Sequence, residues 1–287
     1  MVEITQKIDG LRSLSQLFTP SNFKNVVRLG DMKGTNARIK KHLSISGIVT
    51  YQDIFKAINN QLLKTYRSEY FYKNALLNKV VLGKYSVNTT RVLNEFKIGS
   101  SCADFVFLNG EVRVYEIKTE LDSLSKLHKQ IEDYSQIADK VYVVCSKKHA
   151  KTLIEKLKNT AIGIIEFTPH NTLKELKKAN ISNNLDHTTI FKTLRKSEYI
   201  DLLQRELHII PNVPNTRFFR ECLKLAKTIE VKRFQQLAME QLKRRGLQCP
   251  KYLLSPETPA ELKYLCYTMD LNYNDYIRLH YILKKDY

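Results

Sequence analysis

The sequence predicts an α/β fold: a mixed sheet flanked by helices, followed by a helical C-terminal region. Three observations predict it. Between residues 92 and 167, short apolar runs alternate with amphipathic stretches, so strands and helices are taken in turn. Val141 to Cys145 is mostly valine and carries no charge, as a buried parallel strand requires. Beyond Phe191 the apolar residues recur only at helical spacing.

The elements follow in order. Residues 1–50 carry a weak pattern, in which Leu11, Leu14 and Leu17-Phe18 point to a helix and 36–41 is a short basic run. Ile54, Phe55, Ile58, Leu62 and Leu63 mark a helix from 51, which Ser68 to Leu77 continues and which stops near Gly83. Val92 to Ile98, Ala103 to Leu108 and Val112 to Lys118 read as strands, the last two joined by a turn at Asn109-Gly110. Leu124, Leu127, Ile131, Tyr134 and Ala138 form a crossover helix, with Asp122 as its cap. After the valine strand, His149 to Lys158 is a helix and Ile162 to Phe167 a strand. Thr168-Pro169-His170-Asn171 breaks the pattern, and the polar stretch Asn180 to Asp186 is the best linker. Helices over Phe191 to Ile210, Thr216 to Arg245 (one long helix or a pair) and Glu261 to Lys285 complete the chain. The expected regions are an N-terminal helical part (1–64), an α/β core (65–178) and a basic helical C-terminal part (187–287).

Composition narrows the function. At 287 residues and 43% hydrophobic content, the chain is long and apolar enough for a globular protein of more than one domain. A net charge of +18 favours an anionic partner, above all nucleic acid, because neutralising phosphates releases condensed counterions. The alternative is a lysine-rich surface kept for solubility. The first six residues lack the basic start and apolar run of a signal peptide, and no stretch is long and apolar enough for a membrane span. Cys102, Cys145, Cys222, Cys249 and Cys266 are scattered and form no CxxC pair, so no zinc site or iron–sulfur cluster is expected. An odd, scattered set fits reduced thiols and a cytoplasmic location.

Candidate chemistry gathers at the hairpin. Asp104 lies on one strand and Glu116-Ile117-Lys118 on the next. Carboxylates hold hard cations such as Mg²⁺ or Mn²⁺, with the Ile117 carbonyl as a third ligand, and Lys118 can orient a water and balance phosphate charge. That set serves phosphodiester hydrolysis. Glu-x-Lys alone means little, since it also begins at Glu95, Glu175, Glu230 and Glu261, the last three in helical patterns. The competing reading of Glu116 and Lys118 is an edge-strand charge pair. Parity makes the idea checkable. A two-residue loop at Asn109-Gly110 would oppose Asp104 to Tyr115 and turn Glu116 away; a three-residue loop or a bulge puts Asp104, Glu116 and Lys118 on one face.

The order of these motifs resembles the PD-(D/E)xK nuclease superfamily over roughly residues 65 to 167. Asp104 stands for the family's strand-borne aspartate, Glu116-Ile117-Lys118 matches (D/E)xK, and Gln130 to Tyr134 matches the QxxxY motif of the branch that includes RecB and lambda exonuclease. The string from Tyr115 to Leu124 is similar to an uncharacterised bacterial and phage family of that branch. Ala103 replaces the motif's proline, and the four-cysteine spacing of cluster-binding members is missing. The resemblance implies a restriction-endonuclease-like αβββαβ core and Mg²⁺- or Mn²⁺-dependent cleavage, of DNA rather than RNA. It implies a further acid in the helix before the sheet, for which Glu69 is the choice and Glu95 the competitor. It also implies that Gln130 and Tyr134 reach the site or the nucleic-acid backbone; otherwise Tyr134 is a core aromatic and Gln130 is solvated. Lys243, Arg244 and Arg245 either clamp a phosphate backbone, form a solvated face, or meet another protein or a second copy. The alternative function is a nuclease-fold module that binds nucleic acid or a partner protein without cutting.

Overall fold

The computed structural model describes residues 2–4 and 7–287, so the N-terminal segment read for a leader falls partly outside the described residues. The chain folds into two units, each discontinuous in sequence: Met1–Val87 with Phe167–Leu173 and Leu247–Tyr287, and Asn88–Glu166 with Lys174–Gly246. The contiguous regions read from the sequence (1–64, 65–178 and 187–287) divide the chain differently. No helix among the described residues is long and apolar enough to cross a membrane.

The first unit is mainly helical. Strands β1 (Val2–Ile4) and β2 (Leu43–Ile45) form a small antiparallel ribbon. The helix Ile8–Ser15 buries Leu11 and Leu14, two of the residues that predict it. Thr50 and Asp53 cap the helix Tyr51–Thr65 reciprocally. The helix expected to run on from 51 is instead broken at Tyr66, which leaves helical geometry, and restarts as Glu69–Leu76. The break lets Tyr70 and Phe71 pack with Phe18 and, for Tyr70, with Tyr264.

The second unit holds a six-stranded sheet in the order β3 (Arg91–Ile98), β4 (Ser101–Asn109), β5 (Glu111–Lys118), β6 (Lys140–Cys145), β7 (Gly163–Phe167) and β8 (Leu173–Lys177). The first three are antiparallel, and β5, β6 and β7 run parallel, so the sheet is mixed as expected. The parallel pairs need crossovers, supplied by the helices Leu127–Ser135 and Lys147–Leu157. β8 is missed by the sequence reading, because Leu173-Lys-Glu-Leu-Lys177 looks helical; Glu175 therefore lies on a strand.

Asp122 does not cap the crossover helix. Its Oδ2 accepts from the Thr119 N–H at 2.8 Å and the Thr119 hydroxyl at 2.6 Å, closing a local turn, and the helix begins only at Leu127. The expected linker at 180–186 has no regular structure but is tied down. The Ser182 N–H donates to the Asp139 carbonyl at 2.8 Å, and Asp186 caps the helix His187–Lys192.

That helix and three others (Lys196–Leu207, Asn215–Ala226, Val231–Lys243) add Phe191, Leu203 and Phe234 to the same core as Val106, Val114 and Val143 of the sheet. This shared burial joins the helices to the α/β core despite the polar stretch between them. Arg245 staples them: its Nε and Nη2 donate to Glu198 at 2.7 and 2.6 Å. Burial alone would raise the Glu198 carboxyl, but Arg245 and the Arg195 N–H hold it below its ordinary value. Arg245→Met is expected to lower unfolding free energy by about 1.5–3 kcal/mol in urea denaturation at pH 7. A change within about 0.5 kcal/mol would mean the pair behaves as an exposed one.

Candidate active site

The hairpin parity comes out as the shared-face geometry demands. Phe105 opposes Tyr115, Leu108 opposes Val112 and Asn109 opposes Glu111, so the turn is odd in length and centred on Gly110, which is left-handed at φ 68°. Extending this register by one step sets Asp104 opposite Glu116. On one face Phe105 meets Tyr115 edge-on and Tyr115 stacks on Tyr142. On the other, alternation places Asp104, Val106 and Leu108 with Val112, Val114, Glu116 and Lys118.

Asp104 interrupts the ladder it sits in. Its Oδ2 accepts the Ile117 N–H at 2.7 Å, where a strand carbonyl would normally serve. The N–H and C=O of a strand residue point to the same neighbour, so the Ile117 carbonyl is also directed toward β4. In the ladder on the other side, Asn94 opposes Phe105 and Phe96 opposes Ala103, which sets Glu95 across from Asp104. Glu95 has φ 49°, rare for a side-chain-bearing residue in a strand. Its carboxylate comes within 4.8 Å of that of Asp104. Three adjacent strands thus carry Glu95, Asp104 and Glu116 in line. Glu69 lies in the first unit, as the first residue of its helix, where it is ion-paired with Lys73.

Glu116 and Lys118 form no edge pair. β5 is interior to the sheet, and the two residues are only 3% and 7% exposed. Lys118 Nζ donates to Glu116 Oε1 and to Gln130 Oε1, each at 2.9 Å, and Gln130 Nε2 donates to Glu116 Oε1 at 2.5 Å. The Tyr134 hydroxyl lies 2.8 Å from Glu116 Oε2 and 2.9 Å from the Cys102 carbonyl, sharing its single proton between them. Burial, then the Glu116 charge, pushes the Tyr134 phenol far above its usual range, so it stays a donor. Gln130 and Tyr134 are one turn apart on the crossover helix, which is why both reach the same carboxylate. Tyr134 is fully buried as well, so the core and site readings of it both hold.

Donor chemistry fits a hard cation. Asp104 and Glu95 bring carboxylate oxygens within 4.8 Å of each other, and carboxylate oxygen is the ligand type a hard cation prefers. Ser146, whose N–H donates to the Lys118 carbonyl at 3.0 Å, fixes the end of β5 against β6.

The sequence reading missed Asp133. Its Oδ2 accepts from the Ser100 N–H and the hydroxyls of Ser100 and Ser101 at 3.1, 2.8 and 2.7 Å, and Lys129 pairs with Oδ1 at 3.0 Å. This bolts the crossover helix to the turn ahead of Asp104. The signal was the run Gly99-Ser100-Ser101, which pairs a left-handed residue with two short donors. Of the basic cluster, Arg245 is engaged with Glu198, Arg244 pairs with Asp201 at 2.8 Å while half exposed, and Lys243 ends its helix.

The family described as Bacteriophage P4 protein cII matches residues 63–262 of this chain. Protein cII of Enterobacteria phage P4 is 25% identical over 194 residues, covering 66% of this chain and 68% of that protein. A solved structure of a protein of unknown function from Silicibacter pomeroyi aligns with 44% of this chain and 86% of its own, at 14% identity and a TM-score of 0.28, and carries no argument.

Proposed function

The chain belongs to the bacteriophage P4 protein cII family, and we propose that it is a metal-dependent nuclease that hydrolyses phosphodiester bonds, in DNA above RNA. The family's name states no activity, so the reading rests on the site. One observation carries it: an ion pair of Glu116 and Lys118 buried on an interior strand, opposite Asp104. Burying such a pair gives little net stability, since desolvation of both charges opposes their attraction. Stability alone is therefore a weak reason for it.

In this reading Asp104, Glu116 and the Ile117 carbonyl hold Mg²⁺ or Mn²⁺. The bound ion would polarise the phosphate and lower the pKa of a coordinated water. Lys118 orients the attacking water and neutralises charge on the phosphate, while Gln130 and Tyr134 fix the rotamer of Glu116. The basic surface, with Lys243 and Arg244, contributes attraction to the phosphate backbone.

The test incubates the purified chain with supercoiled plasmid, single- and double-stranded DNA, and RNA, with Mg²⁺ or Mn²⁺ and with chelator. Metal-dependent cleavage is expected. Absence of cleavage on every substrate by a folded protein would instead favour a binding module. The engagement of both Glu116 oxygens, Oε1 by Lys118 and Gln130 and Oε2 by Tyr134, is the observation on that side. Comparing Glu69→Ala with Glu95→Ala identifies the additional acid, as the variant that needs more metal for half-maximal cleavage.

A further inference from the structure

We propose that Lys147, Lys148 and Lys151 hold the phosphate backbone of nucleic acid beside the Asp104–Glu116–Lys118 site; the position of that site rests on the nuclease reading.

Topology brings these lysines there. β5 and β6 run parallel, with Lys118 opposite Cys145, so both strands end on the same edge of the sheet. The Ser146 N–H donates to the Lys118 carbonyl at 3.0 Å, and the helix Lys147–Leu157 starts at the next residue. The carboxyl ends of parallel strands are where open α/β sheets bind their ligands. The crossovers from β5 to β6 and from β6 to β7 advance in one direction across the sheet, and right-handed crossovers then place both helices on one face. The first of these helices carries Gln130 and Tyr134 onto Glu116, so that face is the site's own. Burial agrees: Ala150, Leu153 and Leu157 share a core with Val106 and Val114, which alternation puts on the face of Asp104 and Glu116. With that side of the helix buried, Lys147, Lys148 and Lys151 are left exposed.

The helix itself gains nothing from cations at this end. Its first turn holds no acid, and its N-cap, Ser146, makes no side-chain bond to it. A helix start is the positive end of the macrodipole and favours Asp or Glu, and like charges one turn apart, as at Lys147 and Lys151, repel. A surface kept basic for solubility has no need to collect lysines there. Among the described residues no carboxylate is ion-paired with the three, whereas Arg244 and Arg245 are paired with Asp201 and Glu198. Lys148 Nζ donates to the Glu120 carbonyl at 2.8 Å, which ties it to the loop two residues past Lys118.

The spacing matches a phosphate backbone. Lys147 and Lys151 are one turn apart, about 6 Å along the axis, close to two phosphates spaced roughly 3.4 Å along each strand. The exposed residues of this turn include no aromatic ring on which a base could stack, so the contact reads backbone and not sequence.

The experiment follows the anisotropy of a short labelled DNA duplex titrated with the full chain, in chelator so that binding is read without cleavage, over a series of salt concentrations. Changing Lys147, Lys148 and Lys151 together to Gln should weaken binding about tenfold or more at low salt and lower the slope of log affinity against log salt by about 2–3. Changing the same three to Arg should leave both near the parental values. A control that removes equal charge from the exposed Lys156, Lys158 and Lys174 should change the slope by less than about 1. The Gln variant should melt no lower than the parent, which shows that it folds. Equal binding of an RNA duplex through the same lysines would leave the backbone site standing. Three outcomes overturn the proposal: no saturable binding of either duplex at low salt, parental binding by the Gln variant, or an equal loss in the control. Lysine-dependent binding without cleavage in Mg²⁺ or Mn²⁺ would remove the nuclease reading alone, and cleavage with lysine-independent binding would remove this proposal alone.

Discussion

Lys118→Met and Glu116→Gln should each cut metal-dependent cleavage on the order of 10²–10³-fold, the usual effect of removing a group that stabilises developing charge. The choice of replacement matters. Glu116→Ala would leave Lys118 Nζ, Gln130 Nε2 and the Tyr134 hydroxyl without their common acceptor. Stranding one half of a buried ion pair costs about 3–5 kcal/mol, enough to confuse unfolding with lost chemistry. Glu116→Gln keeps an acceptor oxygen and Lys118→Met keeps the stem length, so the packing survives, but each still leaves one buried charge without its partner. Circular dichroism and a melting curve run beside the cleavage assay separate the two effects. Tyr134→Phe should be milder, about 10–100-fold, because it loosens Glu116 without removing it. If Lys118→Met folds and cleaves at the parental rate, Lys118 is a structural partner only.

Gly99→Ala should be among the most destabilising single changes in the second unit, at roughly 3 kcal/mol. Gly99 has φ 60°, a conformation that costs a side-chain-bearing residue about 1–2 kcal/mol. An added Cβ would also lie 2.8 Å from Asp133 Oδ1 and 2.9 Å from its Cγ. Asp133 would have to move, and its bonds to Ser100 and Ser101 would weaken. Urea denaturation measures the loss; a change below about 1 kcal/mol would mean that the turn adapts.

The same lock predicts an acid response. Burial alone would raise the Asp133 carboxyl, but the Ser101, Lys129 and Ser100 contacts outweigh it and lower the pKa from 3.8 to about 2. A depressed folded-state pKa gives stability that is present above pH 3.8 and lost as pH falls from there toward 2. The loss should be about 2 kcal/mol across that window. Asp133→Asn should start less stable at neutral pH and show a correspondingly flatter decline between pH 4 and 2.

Much of this protein was legible in local pattern. Strands β3 to β7 fall within a few residues of their apolar runs, because alternation and β-branched content survive whatever packs on them. The parity argument needed only the period of a strand and the length of a loop; the sequence left that length open, and the observed register decided the alignment of Asp104 with Glu116. Where pattern failed, the reason was physical. Leu173 to Lys177 has a spacing that serves helix or strand equally, and a place at the end of the sheet decided it. The continuous helix from 51 was broken because aromatic packing outweighs the weak propensity for continuation.

By itself the sequence determined the class of the sheet, the acid–turn–Glu-x-Lys order and the helical face shared by Gln130 and Tyr134. These depend on residues close in the chain, whose geometry is set by the periods of strand and helix. Only the tertiary structure decided that Glu95 stands beside Asp104 and that Glu116 and Lys118 are interior. It alone joined the helices through Lys243 to the sheet and tied Arg245 to Glu198. Those facts depend on which distant surfaces exclude water together, and burial sums over the whole chain.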